Sequence, residues 1–204
     1  MLVSPPKIAR YLFPDAIWRL PSSPYNKPVV YLTFDDGPTP KITEWVLDVL
    51  EQKKIKGTFF CVGKNIEKYP ELFARTKAGG HTCANHTYEH LNGWRTQKSK
   101  YADNVLKCSA YFENRLFRPP YGKVTPAQYA ELKKLFRFGF WDIISFDFDS
   151  KTTPEQCYKN VVKHARNGSV IVFHDSIKAK KNMEFALPRA IEFLKEKGFE
   201  FASL

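Results

Sequence analysis

Seven short apolar runs punctuate the chain after residue 28, at 29–34, 58–62, 81–84, 116–118, 138–147, 169–174 and 199–203. Their length and composition read as strands, and the stretches between them read as helices. Thr39-Pro40, Thr125-Pro126 and Thr153-Pro154 each place a capping threonine before a proline at the first helical position. Gly79-Gly80, Gly168 and Gly198 stand where helices should end. Strands alternating with helices imply an α/β fold with a parallel sheet and right-handed crossovers. A barrel and an open doubly wound sheet both satisfy the pattern. The glycine fingerprint of a dinucleotide-binding first turn is missing, which favours the barrel.

Residues 1–28 follow a different pattern. Prolines at 5, 6, 14, 21, 24 and 28 interrupt a short amphipathic segment anchored by Leu12, Phe13, Ile17, Trp18 and Leu20. We read 1–28 as an arm or short helix packed on a domain spanning 29–204. A membrane-surface helix is the alternative, but Pro14 and Pro21 break the run.

The polar residues at the ends of the apolar runs carry the chemistry. Asp35 and Asp36 follow the first run, His86 and His90 the third. Arg118 ends the fourth, Asp147 the fifth and His174 the sixth. Parallel α/β architectures gather their sites at the carboxyl ends of strands. Two adjacent carboxylates at the end of a buried strand need a positive partner, and a metal ion supplies one. On a helical turn, histidines four apart share one face. One Asp with two His suits zinc and leaves coordination positions open, with the other Asp free for chemistry. Each element also has a plain reading: Asp-Asp-Gly-Pro as a turn, His-x-x-x-His as exposed helical residues, Arg118-Pro119-Pro120-Tyr121-Gly122 as a rigid loop. Their coincidence on one rim argues against coincidence of structure alone.

Composition narrows the partners. The 204 residues fit one domain, and 43% hydrophobic content argues against disorder. The net charge of +11 favours anionic partners, but the basic residues are scattered and form no nucleic-acid footprint. Cys61, Cys83, Cys108 and Cys157 include no C-x-x-C pair and read as reduced, buried thiols. No stretch is long enough to span a bilayer, and the first residues hold no signal-peptide core, so neither a span nor an export signal is expected. A monomer is expected.

Over about residues 29–204 the chain resembles the polysaccharide deacetylases with the NodB homology domain, carbohydrate esterase family 4. The motifs that carry the resemblance are Thr33-Phe34-Asp35-Asp36-Gly37-Pro38, His86-Thr87-Tyr88-Glu89-His90, Arg118-Pro119-Pro120-Tyr121-Gly122, Trp141 to Phe148, and Val170-Ile171-Val172-Phe173-His174-Asp175, in the family's order. The resemblance implies a distorted (β/α)7 barrel and removal of N-acetyl groups from a glycan. It implies a divalent metal on Asp36, His86 and His90, most simply zinc, with cobalt or nickel as substitutes. Asp35 would be the general base, and Arg118 would pair with a carboxylate, holding it ionised and oriented. The oxyanion would face the metal and the Tyr121 backbone N–H. His174 would be the general acid, kept charged by Asp147. Two positions depart from the family pattern: Phe148 stands where Trp is usual, and Val172 where Leu is common. Both bear on substrate fit rather than on metal or proton transfer. Lys178, Lys180 and Lys181 should lie near the mouth of the site and suit an anionic glycan. The alternatives are an O-acetyl esterase on xylan-type polysaccharide, a hydrolase of non-sugar C–N bonds, or a carbohydrate-binding protein that has lost activity. The last should have lost a ligand, base or acid, and this chain retains all of them. His81 and His164 are read as structural or surface residues.

Overall fold

The computed structural model describes residues 3–20 and 27–204; the parts of the expected arm at 1–2 and 21–26 lie outside the described residues. After helix α1 (Lys7–Leu12), the chain runs β1 (Val29–Asp35), α2 (Ile42–Gln52), β2 (Thr58–Cys61), α3 (Gly63–Lys68), α4 (Pro70–Ala78), β3 (Thr82–Asn85) and α5 (Lys98–Ser109). It continues through β4 (Leu116–Phe117), α6 (Pro126–Leu132), β5 (Arg137–Phe138), β6 (Ile143–Ile144), α7 (Pro154–Val162), β7 (Val170–His174), α8 (Lys180–Glu196) and β8 (Glu200–Ala202).

All seven apolar runs carry strands, and every strand pair is parallel. The order across the sheet is β5-β4-β3-β2-β1-β7-β6, with β8 beside the start of β1. The run expected as one strand, 138–147, is divided: β5 pairs with β4, and β6 pairs with β7 at the other edge. Only residues 139–142 separate the two edge strands in the chain, so the sheet must curl into a half-barrel that brings its edges near each other. That is the physical origin of the distorted barrel. Ile17 bridges the same seam, donating to the Phe138 carbonyl and accepting from the Phe140 N–H, both at 2.8 Å.

The helices cover the outside. In α8, Met183, Ala186, Leu187, Ala190, Ile191 and Leu194 recur at three- and four-residue spacing and are all buried. They share a core with Cys157 and Val161 of α7 and Ile171 and Phe173 of β7. Each of the buried Met, Leu, Ile, Val and Phe side chains contributes about 1.5–3 kcal/mol through burial. A second cluster at the seam joins Phe13 and Trp18 to Phe138 and Phe140, with Trp18 stacked on Phe140 at 4.3 Å. Of the expected anchors, Phe13, Ile17 and Trp18 are buried, whereas Leu12 is 57% exposed because α1 turns it outward. All four cysteines are free and buried, and burial pushes the Cys108 thiol up to about 12.

Local signals held where a side chain could close a turn. Thr125 and Thr153 cap α6 and α7 by accepting from Gln128 and Gln156 N–H groups. Thr39 does not cap α2. The chain makes an extra turn through left-handed Lys41 (φ 66°), and Thr39 supplies its backbone carbonyl instead. Gly79-Gly80 and Gly198 end helices as expected, but Gly168 (φ 84°) lies past α7 in the turn entering β7. There its N–H donates to the Val29 carbonyl, and the Leu20 carbonyl leaves no room for a Cβ.

Candidate active site

Asp35 ends β1, His86 follows β3, Arg118 follows β4, Asp147 follows β6 and His174 ends β7. Because the strands are parallel, these residues meet on one rim, around a cleft of about 740 Å³. β1 and β7 are adjacent, with Asp35 in register with His174. The central position of β1 therefore sets both carboxylates against the histidine of its neighbour.

The two histidines meet by a different route from the one expected. Residues 86–90 are a loop, not a helical turn, and Thr87 and His90 adopt left-handed φ values of 64° and 56°. Side chains replace the missing helical hydrogen bonds. Asn85 Oδ1 accepts from Thr87 N–H, and Asn104 Oδ1 accepts from the N–H groups of Tyr88 and Glu89. The loop turns both rings towards Asp36, with ring centroids 5.1 Å apart.

Asp36, His86 and His90 present one ligand atom each, all within 4.8 Å of one another. Asp36 Oδ1 lies 3.0 Å from His90 Nε2 and 3.8 Å from His86 Nε2. His86 Nδ1 is 2.8 Å from the Arg118 carbonyl, which fixes Nδ1 as the protonated nitrogen and leaves Nε2 free. Burial holds His86 down to about 4, so its ring is neutral at pH 7. Burial opposes ionisation of Asp36, but the His90 hydrogen bond and the neighbouring histidines outweigh it and hold the carboxyl far below its usual range. One carboxylate and two imidazoles fit a zinc-type ion with open positions.

Asp35 meets a buried cation. Arg118 is fully buried, and its Nη1 donates to Asp35 Oδ1 and to Thr33 Oγ1, both at 2.7 Å. Nε and Nη2 donate to the Gly139 and Phe140 carbonyls at 2.8 Å, and the guanidinium lies over the Phe60 ring at 3.9 Å. Every edge of the fork is engaged, so Arg118 can fix Asp35 Oδ1 while Oδ2 stays free. Burial lowers the Arg118 pKa, and Asp35 opposes that shift.

His174 and Asp147 form a second pair. Nδ1 of the ring is 2.8 Å from Asp147 Oδ1, and the His174 N–H donates to Oδ2 at 2.7 Å. Burial disfavours the charged ring, but Asp147 more than compensates, with smaller help from Asp36 and Asp35, and the pKa rises to about 9. Phe148 stands edge-on to the ring at 4.7 Å. Tyr121, at φ 60°, is 60% exposed on the rim with its ring 4.7 Å from His90. Val172 lines the cleft with Ile144 and Trp141.

Four further residues at the site escaped the sequence reading. Asn65 Nδ2 donates to the Asp36 carbonyl at 2.8 Å, and Asp175 Oδ1 accepts from Gly37 N–H at 3.0 Å. Lys64 and Glu89 pair at 2.6 Å on the cleft wall. Asp175 and Glu89 stand inside motifs but carry no role there, and Asn65 and Lys64 have no distinguishing spacing. Lys178 lines the cleft; Lys180 and Lys181 open α8 and do not. His81 is structural: its Nδ1 accepts from Gly57 N–H at 3.2 Å.

Residues 22–136, more than half of the chain, match the family model described as polysaccharide deacetylase. A peptidoglycan-N-acetylglucosamine deacetylase of Bacillus cereus is 34% identical over 90% of this chain and 69% of its own length. A second Bacillus cereus protein with the same description is 30% identical over 92% of this chain and 90% of its own. Among solved structures, the Bc1960 peptidoglycan N-acetylglucosamine deacetylase in complex with a hydroxamate superposes with a TM-score of 0.82 at 34% identity, covering 90% of this chain and 89% of that one.

Proposed function

The chain belongs to the polysaccharide deacetylase family (NodB homology, carbohydrate esterase family 4), hydrolases of carbon–nitrogen bonds other than peptide bonds, and from that premise we propose that it removes N-acetyl groups from the amino sugars of a peptidoglycan- or chitin-type glycan. The observation that carries this reading is the separation of base and acid. Asp35, fixed by Arg118, and His174, charged by Asp147, are two different groups on one cleft that also holds the Asp36–His86–His90 set. An amine is a poor leaving group and needs its own proton donor.

A zinc ion on Asp36, His86 and His90 would polarise the acetyl carbonyl and lower the pKa of an attacking water. Asp35 Oδ2 takes the proton from that water as its oxygen forms a bond to the carbonyl carbon. Arg118 keeps the Asp35 carboxylate oriented through Oδ1. His174 Nε2 then gives its proton to the departing nitrogen as the C–N bond breaks, leaving acetate and the free amine. Asp147 holds Nδ1–H, so that Nε2 faces the substrate. The Tyr121 backbone N–H is assigned to the carbonyl oxygen, and Val172, Ile144 and Trp141 to the acetyl methyl.

Acetate release tests the proposal. The panel is chitooligosaccharides, peptidoglycan fragments and acetylated xylan, each run with added zinc, cobalt, nickel or chelator. Metal-dependent release from an N-acetylated glycan is expected. Release from acetylated xylan alone would move the assignment to an O-acetyl esterase, and no release from any of them would remove it.

A further inference from the structure

The peptide group that joins Asp36 to Gly37 is gripped at both ends by side chains. Its carbonyl accepts from Asn65 Nδ2 at 2.8 Å, and its N–H donates to Asp175 Oδ1 at 3.0 Å. We propose that Asn65 and Asp175 are positioning residues for the metal: by clamping this one peptide plane they aim the Asp36 carboxylate at His86 and His90. The inference rests on the proposed role of Asp36 as a ligand.

Asp36 needs such a clamp. Its φ of 85° lies in the left-handed region, where a residue with a Cβ stays only under constraint from its surroundings. Released, it would relax towards an extended conformation and swing its carboxylate away from His90 Nε2, now 3.0 Å off. Asp175 is itself well fixed. It is 1% exposed, its Oδ2 accepts from the buried Thr43 hydroxyl, and its N–H donates to the Asp35 carbonyl at 3.0 Å. A buried carboxylate with so few donors is costly, which argues for a task beyond packing. The fit is also close: a Cβ on Gly37 would sit 1.9 Å from Asp175 Oδ2, so glycine at 37 is required by Asp175 itself. Asn65 reaches the opposite end of the peptide from α3, a separate element, and Val62 N–H secures the next carbonyl, that of Gly37, at 2.9 Å.

Neither residue needs to touch the substrate, so metal affinity is the proper readout. The full chain is stripped with chelator, and zinc is titrated in competition with a chromophoric chelator, alongside thermal melting of the metal-free protein. Asp175→Ala and Asn65→Ala should each weaken zinc binding by roughly 10–100-fold, the range for groups that orient a ligand. Asp175→Asn keeps an oxygen for Gly37 N–H and can turn its amide towards Thr43 Oγ1, so it should stay within about 3-fold of the parent, well short of that loss. Unchanged zinc affinity in Asp175→Ala, with or without a lower melting temperature, would overturn the clamp. Equal losses in Asp175→Asn and Asp175→Ala would overturn it too, since charge would then explain the effect. If Asp175→Ala does not fold, Asn65→Ala decides the question from the other end of the peptide. Asp36→Ala run in parallel separates the two ideas: retained zinc affinity there removes Asp36 as a ligand, whereas loss there with none in the clamp variants removes only the clamp.

Discussion

His174 and Asp147 touch twice, ring to carboxylate at 2.8 Å and backbone N–H to the same carboxylate at 2.7 Å. The second contact locks the carboxylate in the plane that the ring needs. Because Asp147 is fully buried, its charge acts on His174 with little screening.

The alkaline limb of the pH–rate profile should report this pair. An ordinary histidine titrates near 6.5, whereas burial opposed by Asp147 leaves His174 at about 9. The proposed acid is thus charged at neutral pH. Asp147→Asn removes the main support and leaves burial, so the alkaline limb should move down by roughly two pH units or more. The matching stability term has a definite sign. The folded pKa lies above the unfolded one, so the contribution is complete below about 6.5 and is lost as pH rises towards 9. Melting of the metal-free protein between those values should show that loss in the parent and not in Asp147→Asn.

The acid role also predicts a substrate split. His174→Ala should impair N-acetyl substrates far more than activated acetyl esters, whose leaving groups need little protonation. Values of kcat/KM on an amide and an ester are the measurement. Equal losses on both would leave His174 with a structural role.

Arg118 should be far costlier to remove than a surface cation. Arg118→Met leaves Asp35 buried without its partner, and breaking such a pair costs about 3–5 kcal/mol. Urea unfolding should show this. Arg118→Met combined with Asp35→Asn should recover part of the stability. Asp35→Asn alone should keep zinc and lose roughly 10²-fold or more in kcat.

These pairs differ in how far the sequence disclosed them. The strands were legible because burial on both faces leaves near-continuous apolar runs, as in Val170–Phe173. The rim followed from them, since Asp35, Arg118 and His174 sit directly at strand ends. The 86–90 loop differs from the helical turn that the histidine spacing suggests, because its conformation is dictated by Asn85 and Asn104 side chains, which leave no periodic trace. The division of 138–147 depends on a change of partner from β4 to β7, a property of the curled sheet and not of the run itself. Asp175 reaches Gly37 across 138 residues, a separation at which local pattern carries no information.

Lys178 supplies a final prediction, about the charge of the glycan. It is exposed and lines the cleft, and among the described residues no carboxylate pairs with it. Lys64 on the cleft wall is already bound to Glu89 at 2.6 Å. An unpaired ammonium at the mouth of a cleft favours a substrate bearing carboxylates, through steering that salt screens over about 8–10 Å. Lys178→Ala should therefore raise KM for a carboxylate-bearing peptidoglycan fragment several-fold at low salt and flatten its salt dependence. For a neutral chitooligosaccharide it should change KM little, and kcat should hold for both. Lys180→Ala is the control, because Lys180 faces Glu184 at 3.8 Å within α8. An identical effect of Lys178→Ala on the charged and neutral substrates would mean that the lysine shapes the cleft mouth without reading charge.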